Sequence, residues 1–535
     1  MKKANSVFVP LFILFFAIVI LCVIPACQKA EVQQAESAAV ISDSRANVEA
    51  MIRFLSDDLL KGRGTPGQWC DIVALYLASE LRAIGWEPGI GDSYFQTFTI
   101  RDFFPQQATY TISINGHKLG PDDFCFMPMG IDPSDTPKTY DMVFAGYGIY
   151  APEHDVDDFE GIDIANKAVV SLYGAPWELD PHGLFRYDMA FGKAVHVAVR
   201  QGGLLVYVTE DLASDPEATP SAEVSFFKGF AQSPIVTIPE FKGNPASAIG
   251  AALMITPSVF DKLLAKDVGG TYQEWKQKLA GEKFKAKPLT SSMDIHIDVQ
   301  PRESQTSNVV AVLRGTDPGL KDEWIVLTAH YDHLGYFEAP EGEDGIFNGA
   351  DDNASGTAAV LDIARRLAQG EPPRRSVLVA LVTGEERGLL GSAYFAANPP
   401  ILYDSIVLNI NADMVGRSTG RVQAVTAGCD ELFEKTESIG KELGIDVVPD
   451  PHPEWRLTYF SDGYHFARFD IPAIFLFTDL HQDYHQPSDE IQFIQFDEME
   501  KILDVMHELT DFYAQGGKKP TCQRPEWFKT VNWER

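Results

Sequence analysis

Short apolar runs alternate with helical stripes over the second half of the chain, from about Ser291 onward. Four of these runs have the length and composition of buried strands and predict the centre of a sheet: Trp324–Ala329, Val377–Val382, Ile406–Ile410 and Ala473–Phe477. Apolar stripes with helical spacing predict helices over Ala358–Leu367 and from Asp497 to Ala514. Strands that alternate with helices predict an α/β fold, with a largely parallel sheet flanked by helices.

The first half of the chain predicts two further regions. The pattern from Arg45 to Ile84 is helical, and alternating strand-like segments follow between Tyr94 and Ile114. From residue 120 to residue 286, strand-like runs separated by loops rich in Pro, Asp and Gly predict an inserted β-rich domain. We therefore expect one α/β domain in two parts, 44–119 and 287–517, around the insert 120–286, with a C-terminal tail at 518–535.

The N-terminus has the layout of an export signal. Lys2 and Lys3 precede an apolar run from Val7 to Ile24, and Cys27 follows at the place of the acylated cysteine of bacterial lipoproteins. A transmembrane anchor and an ordinary cleaved signal are the alternatives. We expect a lipoprotein signal at 1–27, a polar tether at 28–43, and a periplasmic or cell-surface protein whose membrane contact is this N-terminal anchor or signal alone.

Charge and cysteine content limit the partners. The formal net charge is −32, from 76 acidic against 44 basic residues, with no long basic run, which argues against nucleic acid as a partner. Past the signal, four cysteines at wide spacings match no zinc-ribbon pattern and leave disulfide pairing open: Cys70, Cys125, Cys429 and Cys522.

Potential metal ligands follow each of the four predicted central strands. These are His330-Tyr331-Asp332, Gly384-Glu385-Glu386, Asn411-Ala412-Asp413, and a loop that ends in Tyr484-His485. Open α/β sheets place their ligands at the carboxyl ends of the strands, so these side chains are expected to meet at one edge. A fifth segment, residues 348–356, carries Asp351 and Asp352 just before a predicted helix, where the helix N-terminus favours a carboxylate.

Two histidines and three carboxylates without a thiolate suit Zn, Mn or Co. Five ligands with a central aspartate suit two metal ions that share that aspartate and a water. Asp332, two residues after His330, is placed to orient the imidazole. Of the adjacent Glu385 and Glu386, one can bind metal while the other transfers a proton. Each signal is common by chance, but their repetition after four strands predicts a metal site.

The same motifs resemble, in order and spacing, those of the co-catalytic zinc aminopeptidases, which include secreted bacterial leucyl aminopeptidases, glutamate carboxypeptidase and the transferrin receptor. The resemblance implies a phosphorylase/hydrolase-like fold with two zinc ions. It implies that His330 and Asp413 bind one zinc and that Glu386 and His485 bind the other. Asp352 is implied to bridge the two and to precede a cis peptide bond. Glu385 would be the general base, Asp332 would orient the His330 imidazole, and Tyr484 would support the developing oxyanion. The insert resembles a protease-associated domain.

The resemblance implies an aminopeptidase that cleaves peptides by metal-hydroxide attack. A carboxypeptidase and a one-zinc glutaminyl cyclase are the alternatives; a receptor-like relative without metals should lack several of the five ligands, which this chain retains. Four more histidines near the motifs are expected to lie mostly at the surface: His333, His452, His465 and His481. Arg417 is expected either to reach a substrate carbonyl or carboxylate or to form an ordinary salt bridge.

Overall fold

The computed structural model describes residues 44–535, except 105–106, 128–130, 152–154, 176–192, 195, 198–199, 213–234, 242–250, 281–283, 339–341, 343, 452, 454–455, 526–527 and 529–535. The expected signal with Cys27, the tether at 28–43, and His452 lie outside the described residues, as does part of the expected tail. In the described part of the chain, no helix combines the length and apolar character that crossing a bilayer requires.

A mixed sheet of ten strands, counted over the described ranges, forms the larger layer and is called the large sheet. Its order is Ile235–Thr237, Phe95–Phe103, Arg302–Leu313, Ser376–Val382, Trp324–His330, Ile406–Ala412, Ala473–Phe477, Arg421–Val425, Asp446–Val448, with Glu87–Pro88 also paired to Arg302–Leu313. The four strands predicted as central are parallel neighbours, and every residue in them is buried. The predicted α/β fold with a largely parallel centre is therefore confirmed.

Both faces of the large sheet are covered. Successive side chains of a strand point to opposite faces, so one strand contributes to two hydrophobic cores. Ile325 and Leu327 belong to one hydrophobic core, whereas Val326 belongs to another on the opposite face. The helices and helical turns around the large sheet are 44–55, Asp58–Arg63, Gln68–Ala83, Ala350–Ser355, Gly356–Gln369, Leu390–Ala397, Tyr403–Ser405, Asp430–Leu443, Leu457–Phe460, Gly463–Ala467, Ile491–Phe493 and Phe496–Ala514. Both helices predicted from apolar stripes are among them.

A second sheet, called the small sheet, contains eight strands within the described residues. Its order is His117–Lys118, Thr109–Ile114, Lys287–Asp298, Lys138–Phe144, Ala168–Leu172, Leu204–Val208, Ala251–Ile255, Phe124–Met127. The helices Pro257–Leu263, Ala265–Val268 and Tyr272–Leu279 pack on its core through Phe260, Leu264 and Trp275. The sequence did not predict these helices, since each is too short to display a helical stripe.

Smaller elements complete the fold. Two hairpins pair Gly335–Tyr336 with Ile346–Phe347 and Tyr150–Ala151 with Val156–Asp157, and short turns lie at Pro133–Asp135 and Glu210–Leu212. The strands of the large sheet and the small sheet cross the expected domain boundaries. Ile235–Thr237, inside the expected insert, pairs with Phe95–Phe103, whereas Thr109–Ile114 and Lys287–Asp298, outside it, join the small sheet. The division at 120 and 286 stays a prediction, as does the likeness of the insert to a protease-associated domain.

Candidate metal centre

The centre lies at the carboxyl edge of the four parallel strands. His330 is the last residue of its strand, and Asp413 directly follows the strand Ile406–Ala412. Glu386 lies in the turn after Ser376–Val382, and His485 lies in the loop after Ala473–Phe477. Because these strands run parallel, their ends bring the side chains together, as the sequence pattern predicts.

The first group contains His330, Asp352 and Asp413. The Nε2 atom of His330 lies 3.4 Å from Oδ1 of Asp352 and 3.4 Å from Oδ1 of Asp413. Ligands at about 2.1 Å around a tetrahedral ion are about 3.4 Å apart, so these atoms are spaced for one cation. All three side chains are buried.

The second group uses the other oxygen of Asp352. The Nε2 atom of His485 lies 3.2 Å from Oδ2 of Asp352 and 3.2 Å from Oε2 of Glu386. Asp352 therefore presents one oxygen to each group, which is the geometry of a bridging ligand. The peptide bond between Asp352 and Asn353 is cis.

The neighbouring Asp351 is occupied elsewhere. Its Oδ1 atom accepts a hydrogen bond of 2.7 Å from the Gly416 amide, and its Oδ2 atom lies 3.2 Å from Nε2 of His481. These contacts support the choice of Asp352 over Asp351 as the bridge.

A buried polar atom without a partner indicates where a cation fits. Within the described residues, Oδ1 of Asp413 has no hydrogen-bond partner. Burying such a charged oxygen is costly unless it is paired or binds a metal. The donor set of imidazoles and carboxylates, the spacings and this unpaired oxygen together fit two divalent cations of the zinc type.

The electrostatics of the two histidines point the same way. Burial by itself lowers the pKa of His330, but Asp413 and Glu385 outweigh it and raise that pKa well above its ordinary value. Burial likewise lowers the pKa of His485, but the negative charges of Glu386 and Asp352 outweigh it and raise that pKa to about 10. The negative charge that retains protons on these imidazoles also attracts a divalent cation, which replaces the protons.

Glu385 lies beside the first group without belonging to it. Its Oε2 atom is 4.0 Å from Nε2 of His330, and its side chain is about one-seventh exposed, with 14% of its surface accessible. Burial, and then the like charges of Glu386 and Asp462, raise the pKa of Glu385 well above its ordinary value. A carboxyl group with a raised pKa can both accept and deliver a proton near neutral pH.

Asp332 and Tyr484 adjoin His330 and His485, the histidines of the two candidate groups. The Nδ1 atom of His330 donates a hydrogen bond of 3.1 Å to the backbone carbonyl of Asp332, whose carboxylate lies 3.8 Å away. Burial raises the pKa of Asp332 to about 6, and its Oδ1 atom accepts a hydrogen bond from the Glu385 amide. The Tyr484 ring stacks on His485 with 3.8 Å between centroids. The roles given to Asp332 and Tyr484 stay predictions.

The expectation for the additional histidines was wrong in two cases. His333 and His465 are buried, and Nδ1 of His333 lies 2.6 Å from Oε1 of Glu386. His481 is partly buried and contacts Arg417, which forms a salt bridge of 2.6 Å with Asp483. Of the two expectations for Arg417, the structure therefore supports the ordinary salt bridge. The position of His333, three residues after His330, was the signal that could have identified it.

Two charged residues that support the centre were missed by sequence reasoning. The Asp489 carboxylate accepts hydrogen bonds from the amides of Asp351 and Asp352, at 3.0 Å to each. The guanidinium of Arg63 donates to the carbonyls of Leu55, Tyr331, Asn348 and Gly349. Both residues fix main chain next to the candidate ligands, and no local pattern marks such a function.

The match to a known protein family lies in the second half of the chain. Residues 308–510 match the family model described as peptidase family M28. This segment is a peptidase M28 domain. The M28 domain contains every residue of the two metal groups, together with Glu385, Asp332 and Tyr484.

Relatives of the M28 domain carry names that refer to peptidases. A probable zinc metalloprotease of Leptosphaeria maculans is 38% identical over 126 residues, which cover 22% of this chain and 27% of that protein. Aminopeptidase YwaD of Bacillus subtilis is 25% identical over 248 residues, 43% of this chain and 50% of that protein. The chain thus matches half or less of the length of these curated relatives. A solved aminopeptidase from Aneurinibacillus sp. strain AM-1 superposes with a TM-score of 0.47 and 17% identity, over 90% of this chain and 95% of that one.

Proposed function

We propose that this protein is a dizinc aminopeptidase that releases N-terminal residues from peptides. The observation that carries the proposal is the placement of one carboxylate, Asp352, between two ligand groups, with the proton-transfer candidate Glu385 beside them. The M28 domain and the printed names of its relatives, a zinc metalloprotease and an aminopeptidase, support it.

The residues divide into ligands and a base. His330 and Asp413 would hold one zinc, Glu386 and His485 the other, and Asp352 both. When bound, two zinc ions polarise the scissile carbonyl and make water a nucleophile at neutral pH. Glu385 accepts the proton of the attacking water at its carboxylate and delivers it to the nitrogen of the departing amine.

The charges around the centre favour a free amine over a free carboxylate as the recognised end of the peptide. The described arginines near the centre already donate to other groups: Arg63 to four carbonyls, Arg387 to the carbonyls of Thr65 and Leu334, and Arg417 to Asp483. A carboxypeptidase needs a cation to bind the C-terminal carboxylate. Because these three arginines already have partners, none of them is left to bind a C-terminal carboxylate, which favours recognition of the N-terminal amine instead.

The test uses peptides that differ at their ends. The zinc-loaded protein is assayed on a peptide with a free N-terminus, the same peptide acetylated, and the same peptide amidated at its C-terminus. We expect cleavage of the free and amidated peptides and none of the acetylated one. Cleavage of the acetylated peptide together with failure on the amidated one would establish the carboxypeptidase instead.

The role of Glu385 is tested by Glu385→Gln in the same assay. Loss of a general base reduces turnover about 10²–10⁴-fold, while two zinc ions per chain should remain because Glu385 is not a ligand. Glu338→Gln is the matched control, since Glu338 is exposed and should leave turnover unchanged. Near-normal hydrolysis by Glu385→Gln would contradict the assignment.

We also infer that the chain is exported and anchored through Cys27. The disulfide between Cys429 and Cys522 supports this inference, because disulfides persist in oxidising compartments. Cell fractionation should place the protein with membranes and Cys27→Ser in a soluble exported fraction. Recovery of the wild type from the cytosol would refute export.

A further inference from the structure

Asp351, next to the bridging Asp352, connects the loops that carry the other candidate ligands. Its side chain is completely buried, and its Oδ1 atom accepts a hydrogen bond of 2.7 Å from the Gly416 amide. A Cβ at Gly416 would approach that oxygen to 2.8 Å, so glycine permits the close contact. Gly416 follows Asp413 in the same loop. Asp351 therefore fixes the loop after Asp413 to the segment that contains Asp352.

The second oxygen of Asp351 faces the loop that carries His485. The Nε2 atom of His481 lies 3.2 Å from Oδ2 of Asp351. Within the described residues, neither of these two buried atoms has another hydrogen-bond partner. A buried carboxylate oxygen is costly without a donor, so the imidazole of His481 is the group that compensates it. The contact joins the bridging segment to the loop that ends in His485.

Arg417 determines which nitrogen of His481 carries the proton. Its Nη1 atom lies 3.1 Å from Nδ1 of His481 and donates a hydrogen bond of 2.6 Å to Oδ2 of Asp483. A guanidinium has donors only, so Nδ1 is the acceptor of the contact and carries no proton. The proton of the neutral imidazole therefore lies on Nε2, the nitrogen that faces Asp351. Arg417 lies in the loop after Asp413, so it holds the His481 loop from a second side.

We propose, on the basis of the proposed dizinc function, that His481 is a positioning residue for the metal centre. Its Nε2–H group holds Asp351 and thereby fixes the distance between the bridging Asp352 and His485. His485 belongs to the second ligand group and lies on the same loop as His481. Loss of the contact should therefore weaken the cation of the second group more than the cation of the first.

The alternative role for His481 is to fill space beside Asp351, and two substitutions separate the roles. His481→Gln removes the ring, but its side-chain amide can donate to Asp351 from the position of Nε2. His481→Phe keeps a ring of similar size and removes both nitrogens. His507→Phe is the matched control, since His507 is a partly exposed histidine on the helix Phe496–Ala514.

The first measurement is zinc per chain after equilibration with graded concentrations of a chelator. We expect the wild type and His507→Phe to retain two zinc ions over the same range. His481→Phe should bind one of its two zinc ions about 10–100-fold more weakly, which is the usual effect of losing a residue that orients a metal ligand. His481→Gln should retain most of the wild-type affinity. Wild-type zinc retention by His481→Phe, or equal weakening in both His481 variants, would overturn the proposal.

A second measurement is made on the folded wild type. In the ¹⁵N-histidine-labelled, zinc-loaded protein in mildly alkaline buffer, the His481 ring should carry a proton on Nε2 and none on Nδ1. A proton on Nδ1 would overturn the proposal. The peptide assay keeps the outcomes distinguishable. A wild type that binds two zinc ions and cleaves free-amine peptides, but carries a proton on Nδ1 of His481, refutes the positioning role alone. A wild type that binds no zinc refutes the proposed function as well.

Discussion

Arg63 donates hydrogen bonds to main-chain carbonyls from separate segments of the chain. Its acceptors belong to Leu55, to Tyr331 between two residues of the centre, and to Asn348 and Gly349 before the bridging Asp352. The side chain is 1% exposed. One buried cation therefore fixes the distance between the His330 strand end and the Asp352 segment, and it offsets part of the negative charge of the centre.

Arg63→Lys should lower the free energy of unfolding by about 3–5 kcal/mol, because lysine keeps the charge but leaves most of the four buried carbonyls without donors. Chemical denaturation measures the change. Arg53→Lys, at an exposed side chain paired with Glu49, is the control and should change stability by less than about 0.5 kcal/mol. A loss below that same limit for Arg63→Lys would show that the carbonyl contacts do not stabilise the fold.

The sequence predicts those site residues whose chemistry is visible next to a strand. His330 and Asp413 stand at strand ends, and their residue types suit a metal, so the pattern alone points to them. Arg63 and Asp489 are different, because their partners are backbone groups 137 or more residues away for most of their contacts. His333 is not predicted to be buried at the centre, because a histidine after the strand end has no predictable direction until the Gly349 backbone is placed.

At the scale of elements, the four central strands were predictable because each is buried on both faces and therefore continuously apolar. Their order was not, since Ser376–Val382 lies between Arg302–Leu313 and Trp324–His330, which precede it in the chain. The helices of Pro257–Leu279 were missed because short amphipathic turns resemble loops. The position of Ile235–Thr237 in the large sheet depends on pairing with a strand more than a hundred residues earlier.

The disulfide ties the segment after the last helix to the start of another helix. Cys522 follows the helix Phe496–Ala514, and Cys429 directly precedes the helix Asp430–Leu443, 93 residues earlier. Closing a loop of this length stabilises a fold by about 2–5 kcal/mol. Cys522→Ser should lower the free energy of unfolding by about this amount without reductant. In reductant the variant and the wild type should agree, and equal stability under oxidising conditions would contradict the stabilising role.

At the scale of the whole molecule, the centre concentrates negative charge in a protein with a net charge of −32. Burial alone disfavours charged side chains in such a site, but protons on the histidines offset the negative charge of the carboxylates when no metal is bound. The raised pKa of His485, about 10, means that its imidazole carries a proton throughout the neutral range in the metal-free protein. Zinc binding must therefore release protons.

Zinc affinity should increase with pH. Below about pH 10 zinc displaces the proton of His485, so the affinity should rise about tenfold per pH unit for each proton released, for example between pH 6 and pH 8. Competition with a chelator whose own protonation is known measures this slope. An affinity independent of pH over that range would contradict the description of the metal-free centre.

The most direct test of the dizinc centre is anomalous X-ray scattering, measured from zinc-loaded crystals on both sides of the zinc absorption edge. Two peaks about 3.5–4 Å apart are expected, one among His330, Asp352 and Asp413 and the other among Asp352, Glu386 and His485. A single peak, or peaks away from Asp352, would contradict the proposed dizinc aminopeptidase.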